Sequence, residues 1–387
     1  MSGERPAERI REELRRLGGR LGFEVTSEVS ESFLPKAVAR YKPRVDLVWS
    51  IRLEETQLRG IRRLLGAAVA DFQMKPFFPL VGFEIEATDP STKTQLSNLA
   101  NLKTVAVPYG FLVVDNSQAG MDLYRRAIRL VRTFNKLFGQ CSYGVIDRSQ
   151  IPRIASLISK EQASRERSAD RLELNRTRGS GGEGPWSSAI RRRLDRMGRS
   201  YAFHVREDWS PSNLAEDYAL RQKVRSSIER TSDDSSEWYF GRLVDWSPGK
   251  PEPVCRWNKY YTSPALDMAW TVELPSSFQK LVLALKETSN EFTYSMPILG
   301  TPFEDWPIVG FEIERGMTKH GGGDILNLSR YSYVGVLIVP TPELQRSLAR
   351  IETYRVALGI QNVLALPDDR VNRALHSRQR VTTRPKA

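Results

Sequence analysis

The stretch Gly82-Phe83-Glu84-Ile85-Glu86 occurs a second time, unchanged, as Gly310-Phe311-Glu312-Ile313-Glu314. An apolar run precedes each copy, at residues 77–81 in the first and at residues 306–309 in the second. Such runs predict buried strands, in which successive side chains alternate between the two faces of a sheet. The Phe and Ile side chains would then point to one face, and both glutamates of each copy to the other.

The match between the two halves of the chain is longer than this stretch. An apolar pattern of helical period at residues 10–18 returns at residues 190–198, and the same offset separates Phe23 from Phe203. Further along, Val45-Asp46-Leu47-Val48-Trp49 has its counterpart in Leu266-Asp267-Met268-Ala269-Trp270. A repeat as long as a domain predicts two copies of one fold rather than a solenoid of short repeats.

Each copy has the same predicted order of elements: helix, strand, strand, strand, helix, strand, helix and strand. Helices follow from an apolar period of 3.6 residues, and strands from short β-branched and aromatic runs bounded by Gly or Pro. A further helical segment is predicted between the second and third strands, at roughly 56–72 and roughly 276–286. The predicted fold class is therefore α/β, with two tandem αβββαβ domains, each a central mixed sheet flanked by helices.

Composition divides the chain into segments. The first domain is predicted at residues 1–150 and the second at residues 185–370, joined by a charged, Gly-rich linker at 151–184. The second domain carries an aromatic-rich insertion at 206–262. The last segment, 371–387, is basic and lacks apolar periodicity, so it is predicted to be a disordered tail.

The insertion combines Trp and Tyr residues with arginines such as Arg221 and Arg225. Two interpretations fit this pattern. The aromatic rings could stack on or wedge between bases, with the arginines contacting phosphates. They could equally form a small extra core, because most buried aromatics only pack.

The 387-residue chain has 58 Lys and Arg against 46 Asp and Glu, a net charge of +12. This excess favours an anionic partner, nucleic acid first, although a proteome rich in surface Arg would give the same charge. The chain starts with polar and charged residues, and no apolar stretch reaches the length of a membrane span. Cys141 and Cys255 lack metal-site spacing. A cytoplasmic protein without membrane contact is expected.

Asp46 and Asp267 each lie in a strand that precedes a Glu-Ile-Glu strand. If the two strands of each copy pair, Asp46 lies beside Glu84, and Asp267 lies beside Glu312. Carboxylates this close repel each other unless a cation lies between them, and Mg²⁺ or Mn²⁺ prefers such oxygen ligands. The sequence therefore predicts a divalent-metal site that is built twice.

Glu86 and Glu314 lie two positions further along and face the same side as the first glutamates. Each could orient an attacking water, act as a general base or bind a second ion. A plainer interpretation is that duplication copied both glutamates whatever their role. They would then line a solvated sheet face with Arg partners.

This arrangement resembles the PD-(D/E)XK superfamily of nucleases, which share the restriction-endonuclease-like fold. Its members have an αβββαβ core with an Asp followed by Glu-x-Lys on adjacent strands, and they cut phosphodiester bonds with one or two magnesium ions. The resemblance covers roughly residues 10–114 and 190–339. It implies that the metal ligands are Asp46, Glu84, Asp267 and Glu312.

The chain departs from the superfamily pattern at the lysine of Glu-x-Lys, where Glu86 and Glu314 stand. Some restriction enzymes of the superfamily use Glu-x-Glu and are active. A lysine could also have moved to the following helix. The remaining candidates are therefore Lys93 and Lys319 as catalytic lysines, and Gln95 and Asp324 as accessory residues.

Three functions are compatible with this pattern. The first is a metal-dependent endonuclease of restriction or defence type that acts on double-stranded DNA, with protein partners in a defence complex. The second is a degenerate nuclease fold that binds DNA or serves as a scaffold without cleavage. The third is an interaction subunit that binds neither DNA nor metal.

Overall fold

The computed structural model describes residues 6–29, 43–71, 76–86, 91–105, 107–115, 121–138, 142–156, 184–209, 235–239, 242–246, 254–257, 266–275, 278, 281, 305–315, 321–358, 360 and 362–376. The first copy consists of α1 (Pro6–Arg20), β1 (Glu24–Val29), β2 (Val45–Arg52), α2 (Glu55–Leu65), β3 (Phe77–Glu86), α3 (Thr92–Thr104), β4 (Tyr109–Val114), α4 (Met121–Phe138) and β5 (Ser142–Asp147).

The second copy has the same core order, with three strands added after β6 and a helix after its last strand. Its elements are α5 (Pro185–Ser200), β6 (His204–Trp209), β7 (Ser235–Tyr239), β8 (Arg242–Trp246), β9 (Val254–Trp257), β10 (Leu266–Glu273), β11 (Asp305–Ile313), α6 (Gly321–Tyr331), β12 (Val334–Val339), α7 (Leu344–Leu358), β13 (Val363–Pro367) and α8 (Asp368–His376). Of the helical segment predicted at roughly 276–286, only Phe278 and Leu281 are described, and both are helical. The predicted order of elements is thus confirmed in both copies.

Each copy forms a five-stranded mixed sheet, with the order β1-β2-β3-β4-β5 in the first and β13-β12-β11-β10-β6 in the second. Within each five-stranded sheet, the first three strands in chain order pair antiparallel, and the last three pair parallel. The register shifts at the same place in both copies, after Trp49 and after Trp270. The predicted α/β class, with two mixed sheets flanked by helices, is confirmed.

The insertion of the second copy contains a separate three-stranded antiparallel sheet, β7-β8-β9. Before it, Trp209 at the end of β6 is buried, and its indole Nε1 donates a hydrogen bond to Asp305 Oδ1 at 3.2 Å. Trp209 therefore belongs to the core of the second copy. The remaining aromatic residues of the insertion lie outside the described residues or on strands whose side chains are not described.

The repeated glycine of the Gly-Phe-Glu-Ile-Glu strand permits close approach of α3 to the sheet. A Cβ atom at Gly82 would lie 2.7 Å from the Leu102 side chain. Leu102 and its neighbour Asn101 are both buried on the sheet-facing side of α3. The small residue in β3 thus allows the helix to reach the glutamate face of the strand.

The other face of the first sheet packs into a hydrophobic core that both copies share. Phe278 of the second copy contacts Phe23 and Tyr109 of the first, with ring centroids 6.3 Å and 5.3 Å apart. Tyr109 also packs against Trp306, at 5.7 Å. Phe278 lies in the segment between the second and third strands of its copy, so this segment packs on the other copy.

The first copy makes the reciprocal contact through α2. Gln57 Nε2 donates a hydrogen bond to the Ala202 carbonyl at 3.0 Å, and Arg370 Nε donates one to the Leu64 carbonyl at 3.0 Å. Buried residues on α2 join the shared core. Each copy therefore contributes the element after its second strand to its neighbour, and we expect the two copies to unfold together.

Replacing Gly60 with Ala is expected to destabilise the protein, although Ala is the better helix former. A Cβ atom at Gly60 would lie 2.6 Å from Tyr201 of the second copy, and such overpacking costs about 1–3 kcal/mol. Gly19 in α1 is the matched control, because a Cβ atom there meets nothing within 4 Å. Gly19→Ala should be neutral or stabilising. Urea denaturation compares the two variants, and equal stability would contradict the contact between copies.

Two segment boundaries differ from the sequence-based expectation. Residues 150–156 are helical, with Ile151 and Ile154 buried, so the first copy extends into the predicted linker. The prediction of a disordered tail is wrong for residues 371–376, because α8 spans Asp368–His376 and buries Val371 and Ala374. The apolar positions of this short helix are too few for the period to be evident in the sequence. The other predicted linker and tail residues lie outside the described ranges.

Among the described residues, no helix combines the length and the apolar character that a membrane span requires.

Candidate functional site

The antiparallel pairing of β2 with β3 brings Asp46 next to Glu84. Leu47 pairs with Phe83 in this register, so the adjacent positions are Asp46 and Glu84. In the second copy, Met268 pairs with Phe311, which places Asp267 opposite Glu312. The predicted strand pairing is confirmed, and each aspartate lies beside the first glutamate of its copy.

Each aspartate accepts hydrogen bonds from the same two kinds of donor, a backbone amide of the neighbouring strand and an arginine of the first helix of its copy. Asp46 Oδ2 accepts a hydrogen bond from the Ile85 amide at 2.8 Å, and its Oδ1 accepts one from Arg11 Nη2 at 3.2 Å. The arginine comes from α1, which packs on the first three strands. Sequence reasoning missed this partner of the aspartate.

In the second copy, Asp267 Oδ2 accepts from the Ile313 amide at 2.8 Å, and its Oδ1 accepts from Arg191 Nη2 at 2.7 Å. Arg191 Nη1 also donates to the Asp267 carbonyl at 2.8 Å. Arg11 and Arg191 occupy matching positions of the aligned helices, so the repeat contained the signal that could have identified them.

The glutamates of the first copy are buried rather than solvated. Glu84 is 3% exposed and Glu86 is 5% exposed. Amide side chains of α3 contact both: Asn101 Nδ2 donates to Glu84 Oε1 at 3.2 Å, and Asn98 Nδ2 donates to Glu86 Oε1 at 2.6 Å. The alternative of a solvated glutamate face is therefore wrong for this copy, because α3 covers the face.

The second copy has an acidic residue where the first has an amide. Aligning the Asn-Leu pairs of the two helices places Asp324 at the position of Asn98. Glu312 is 6% exposed, and its Oε1 has no hydrogen-bond partner among the described residues. The same holds for Asp324 Oδ2. The second site therefore has one more acidic side chain than the first, Asp324.

Burial and neighbouring charge shift the pKa values of the glutamates upward. Desolvation and the Asp46 carboxylate raise the pKa of Glu84 to about 9, against the opposing effect of the Asn101 amide. Burial also raises the pKa of Glu86, while Asn98 and the charge of Arg126 oppose this shift. Glu84 is therefore protonated at neutral pH when no cation is bound.

The same causes act in the second copy. Burial, Asp267 and Asp324 together raise the pKa of Glu312 well above its ordinary value. Burial and the contact with Glu314 raise the pKa of Asp324 to about 7, and Arg350 opposes this shift. A cation that bound here would displace protons and relieve the repulsion between the carboxylates.

We expect the metal-free protein to lose stability as pH rises from about 6 to about 8, because the folded state keeps a proton on Glu84 that the unfolded state releases. For one carboxyl whose folded pKa lies above this window and whose unfolded pKa lies below it, the free energy of unfolding falls by about 1.4 kcal/mol for each pH unit. Glu84→Gln should make the decline shallower by about this amount, and Glu24→Gln on exposed β1 should not. Urea unfolding in EDTA measures both slopes; equal slopes would contradict the protonated state of Glu84.

The predicted lysine and accessory residues have different positions. Lys93 lies on the first turn of α3 and is exposed. Lys319 lies outside the described residues. Gln95 is 0% exposed and shares the sheet-facing side of α3 with Asn98, and neither of its amide atoms has a hydrogen-bond partner within the described ranges. Asp324 contacts Glu314 and lies near Asp267, so it belongs to the acidic residues of the second site.

The donor set fits a hard divalent cation in its chemistry. Asp267 and Glu312 supply adjacent carboxylates, and one oxygen of Glu312 is buried without a partner. Among the described residues, no three or more His, Cys, Asp or Glu side chains are already arranged around a metal position. Mg²⁺ commonly binds proteins through only one or two carboxylates and completes its shell with water and substrate phosphates. A carboxylate pair is therefore compatible with Mg²⁺.

The chain was compared with protein-family models, with curated proteins and with solved structures, and it matches none of them.

Proposed function

We propose that the protein is a metal-dependent endonuclease that cuts double-stranded DNA, built from two restriction-endonuclease-like domains, and that the second copy carries the cleavage site. The observation that carries this proposal is the pairing of Asp267 with the buried Glu312, one oxygen of which has no hydrogen-bond partner in the described part of the chain. Burying a carboxyl oxygen without a hydrogen-bond partner beside a second acidic side chain is costly, and a cation bound between the two groups would offset this cost.

The order of elements supports the proposal because it is similar to the αβββαβ order that the resemblance implies. In each copy a helix precedes three antiparallel strands, and a helix then leads to a parallel fourth strand. The acidic residues lie on the second and third strands, as in the Asp and Glu-x-Lys positions of that superfamily. Fold alone does not establish chemistry, so the proposal depends on the acidic site.

Asp267 and Glu312 are the residues that would hold Mg²⁺ or Mn²⁺ in the second copy. When bound, such an ion would polarise the scissile phosphate and lower the pKa of an attacking water. Ile313 and Arg191 fix the orientation of the Asp267 carboxylate through hydrogen bonds to its two oxygens. Glu312 is buried where α6 packs on β11, and the Asp267 side chain, 24% exposed, is the more accessible of the two carboxyls.

Glu314 and Asp324 are suited to take the proton of the attacking water. The two carboxyls contact each other, and the pKa of Asp324 is raised to about 7 by burial and by Glu314. A group that titrates near neutral pH is an effective general base or acid. Arg350 lies close enough to lower the pKa of Asp324, so the pair has a nearby positive charge.

Arginines can supply the positive charge that the missing lysine would provide. Arg191 forms an ion pair with Asp267, and the positive charge of Arg350 opposes the rise in the pKa of Asp324. The first copy also has arginines near its acidic residues, since Arg11 contacts Asp46 and the charge of Arg126 opposes the rise in the pKa of Glu86. We propose that these side chains, rather than the exposed Lys93, neutralise charge at the site.

The first copy is proposed to be inactive or weakly active. Asn98 and Asn101 donate hydrogen bonds to Glu86 and Glu84, whereas Oε1 of Glu312, the counterpart of Glu84, has no hydrogen-bond partner among the described residues. The first copy also has the amide of Asn98 at the position that corresponds to Asp324 in the second copy. The first copy would then contribute structure and DNA contacts instead of cleavage.

DNA binding without cleavage is the second candidate function. One observation favours it: Arg191 already pairs with Asp267 at 2.7 Å, so the aspartate is neutralised without a metal ion. Purified protein on plasmid and linear DNA, with Mg²⁺, Mn²⁺ or EDTA, separates the two functions. Cleavage that EDTA abolishes supports the nuclease, and salt-sensitive binding without cleavage in either ion supports the alternative.

A further inference from the structure

The outer surfaces of α1 and α5 differ although the two helices occupy equivalent positions. Helix α1 contains five arginines and three glutamates, whereas α5 contains five arginines and one aspartate. The largest difference lies at two matched positions, where Glu12 and Glu13 of the first copy correspond to Arg192 and Arg193 of the second. Two acidic side chains are thus replaced by two basic ones.

The acidic residues of α1 neutralise nearby arginines. Glu12 forms ion pairs with Arg15 at 2.7 Å and with Arg16 at 2.9 Å. Glu13 pairs with Arg148 at 3.4 Å. On the exposed face of α1, Arg15 and Arg16 are therefore neutralised by internal ion pairs.

On α5, Asp195 pairs with Arg199 at 2.7 Å, and the arginines before Arg199 are compensated less than those of α1. In the described part of the chain, Arg192, Arg193 and Arg196 form no hydrogen bond or ion pair. Arg192 and Arg196 are exposed, and Arg193 is half-buried. Residues three and four positions apart lie side by side on a helix, so the three guanidinium groups form one basic patch. We call Arg192, Arg193 and Arg196 the α5 patch.

The α5 patch follows directly after a residue that reaches the acidic site of the same copy. Arg191, the residue before it in the helix, donates hydrogen bonds to both the side chain and the carbonyl of Asp267. The helix is thus anchored at the site by Arg191 while the following arginines remain available. Arginine is suited to phosphate because its guanidinium group can donate two parallel hydrogen bonds.

We propose that the α5 patch binds backbone phosphates of duplex DNA and directs the duplex to the second-copy site. This inference rests on the proposed function and extends it by naming the surface that carries the nucleic acid. It also makes binding asymmetric, since the equivalent surface of α1 carries Glu12 and Glu13. Contacts of this kind position the duplex and carry no sequence information.

The test is binding of a fluorescein-labelled DNA duplex in EDTA, measured by anisotropy between about 50 and 200 mM NaCl. Each phosphate contact contributes about 0.9 to the slope of log affinity against log salt, so Arg192→Glu with Arg193→Glu should reduce the slope by about 2. Affinity in low salt should fall at least about tenfold. Arg192→Gln with Arg193→Gln is a second variant, for the case that charge reversal prevents folding.

The matched control is Arg15→Glu with Arg16→Glu on α1, which changes the net charge by the same amount. We expect this variant to keep a slope close to that of the wild type. An equal loss of affinity in both variants would show a general charge effect and would overturn the α5 assignment. Unchanged binding in the α5 variants would also overturn it.

Failure of this inference is distinguishable from failure of the proposed function. If wild-type protein binds and cuts the duplex while the α5 variants bind equally well, only the α5 assignment is wrong. If wild-type protein does not bind duplex DNA at any salt concentration, both are wrong. Weakened binding by the α5 variants, together with cleavage in Mg²⁺ by the wild type, supports both.

Discussion

Glu312→Gln is expected to lower the rate of Mg²⁺-dependent DNA cleavage by about a thousandfold, equivalent to about 4 kcal/mol of lost transition-state stabilisation. Glutamine has nearly the same shape, but its neutral amide is a poor ligand for a hard cation. Glu312 lies at the strand position opposite Asp267, which makes it the direct partner of that aspartate. Plasmid nicking and linearisation in Mg²⁺ and Mn²⁺ provide the measurement.

Glu84→Gln is the matched control in the first copy. Because Asn101 already satisfies an oxygen of Glu84, this variant is expected to retain most of the cleavage activity. The double variant Glu84→Gln with Glu312→Gln should abolish cleavage and leave DNA binding intact. Unchanged cutting by the double variant would refute the assignment of these glutamates, and a larger loss in Glu84→Gln than in Glu312→Gln would move the active site to the first copy.

Arg191→Gln is expected to destabilise the metal-free protein by about 2 kcal/mol. Breaking a fully buried ion pair costs about 3–5 kcal/mol because the remaining charge is unpaired, and solvent reduces this cost here. The Asp267 side chain is 24% exposed, so solvent still screens part of its charge. Urea denaturation in EDTA measures the change in the free energy of unfolding.

Arg199→Gln on the same helix is the control for this prediction. Arg199 pairs with Asp195 at the exposed surface, and such pairs contribute about 0.3–0.5 kcal/mol. Mn²⁺ should stabilise Arg191→Gln more than it stabilises the wild type, because a cation at Asp267 would replace the lost guanidinium. If Arg191→Gln were as stable as Arg199→Gln, Asp267 would not depend on its arginine.

Much of the fold was evident from the sequence because duplication presents each pattern twice. The Gly-Phe-Glu-Ile-Glu strand, the helix at residues 10–18 and the Asp46 strand each have a counterpart, which separates real periodicity from chance. The strand pairing of Asp46 with Glu84 followed from alternation and element order. These features depend on local periodicity, which a sequence records directly.

The features that sequence reasoning missed depend on contacts between distant elements. The hydrogen bonds of Arg11 and Arg191 to the aspartates cross from a helix to a strand, and no local pattern predicts them. The exchange of α2 and its counterpart between copies likewise follows from tertiary packing. Helix α8 was missed because its apolar side is only a few residues long.

The difference between the two sites also required the structure. Asn98 and Asp324 align once the Asn-Leu pairs of the helices are matched, but their role depends on contact with the glutamate face. Only the folded arrangement shows that amides satisfy Glu84 and Glu86 whereas an oxygen of Glu312 has no partner in the described ranges. The contrast between copies thus results from side-chain contacts and not from motif spacing.

A crystal structure of the protein soaked in Mn²⁺, with anomalous diffraction data, tests the metal assignment most directly. The account predicts an anomalous peak about 2.0–2.2 Å from carboxylate oxygens of Asp267 and Glu312, which is absent in Glu312→Gln crystals. Well-ordered Asp267 and Glu312 side chains without any peak between them at saturating Mn²⁺ would contradict it.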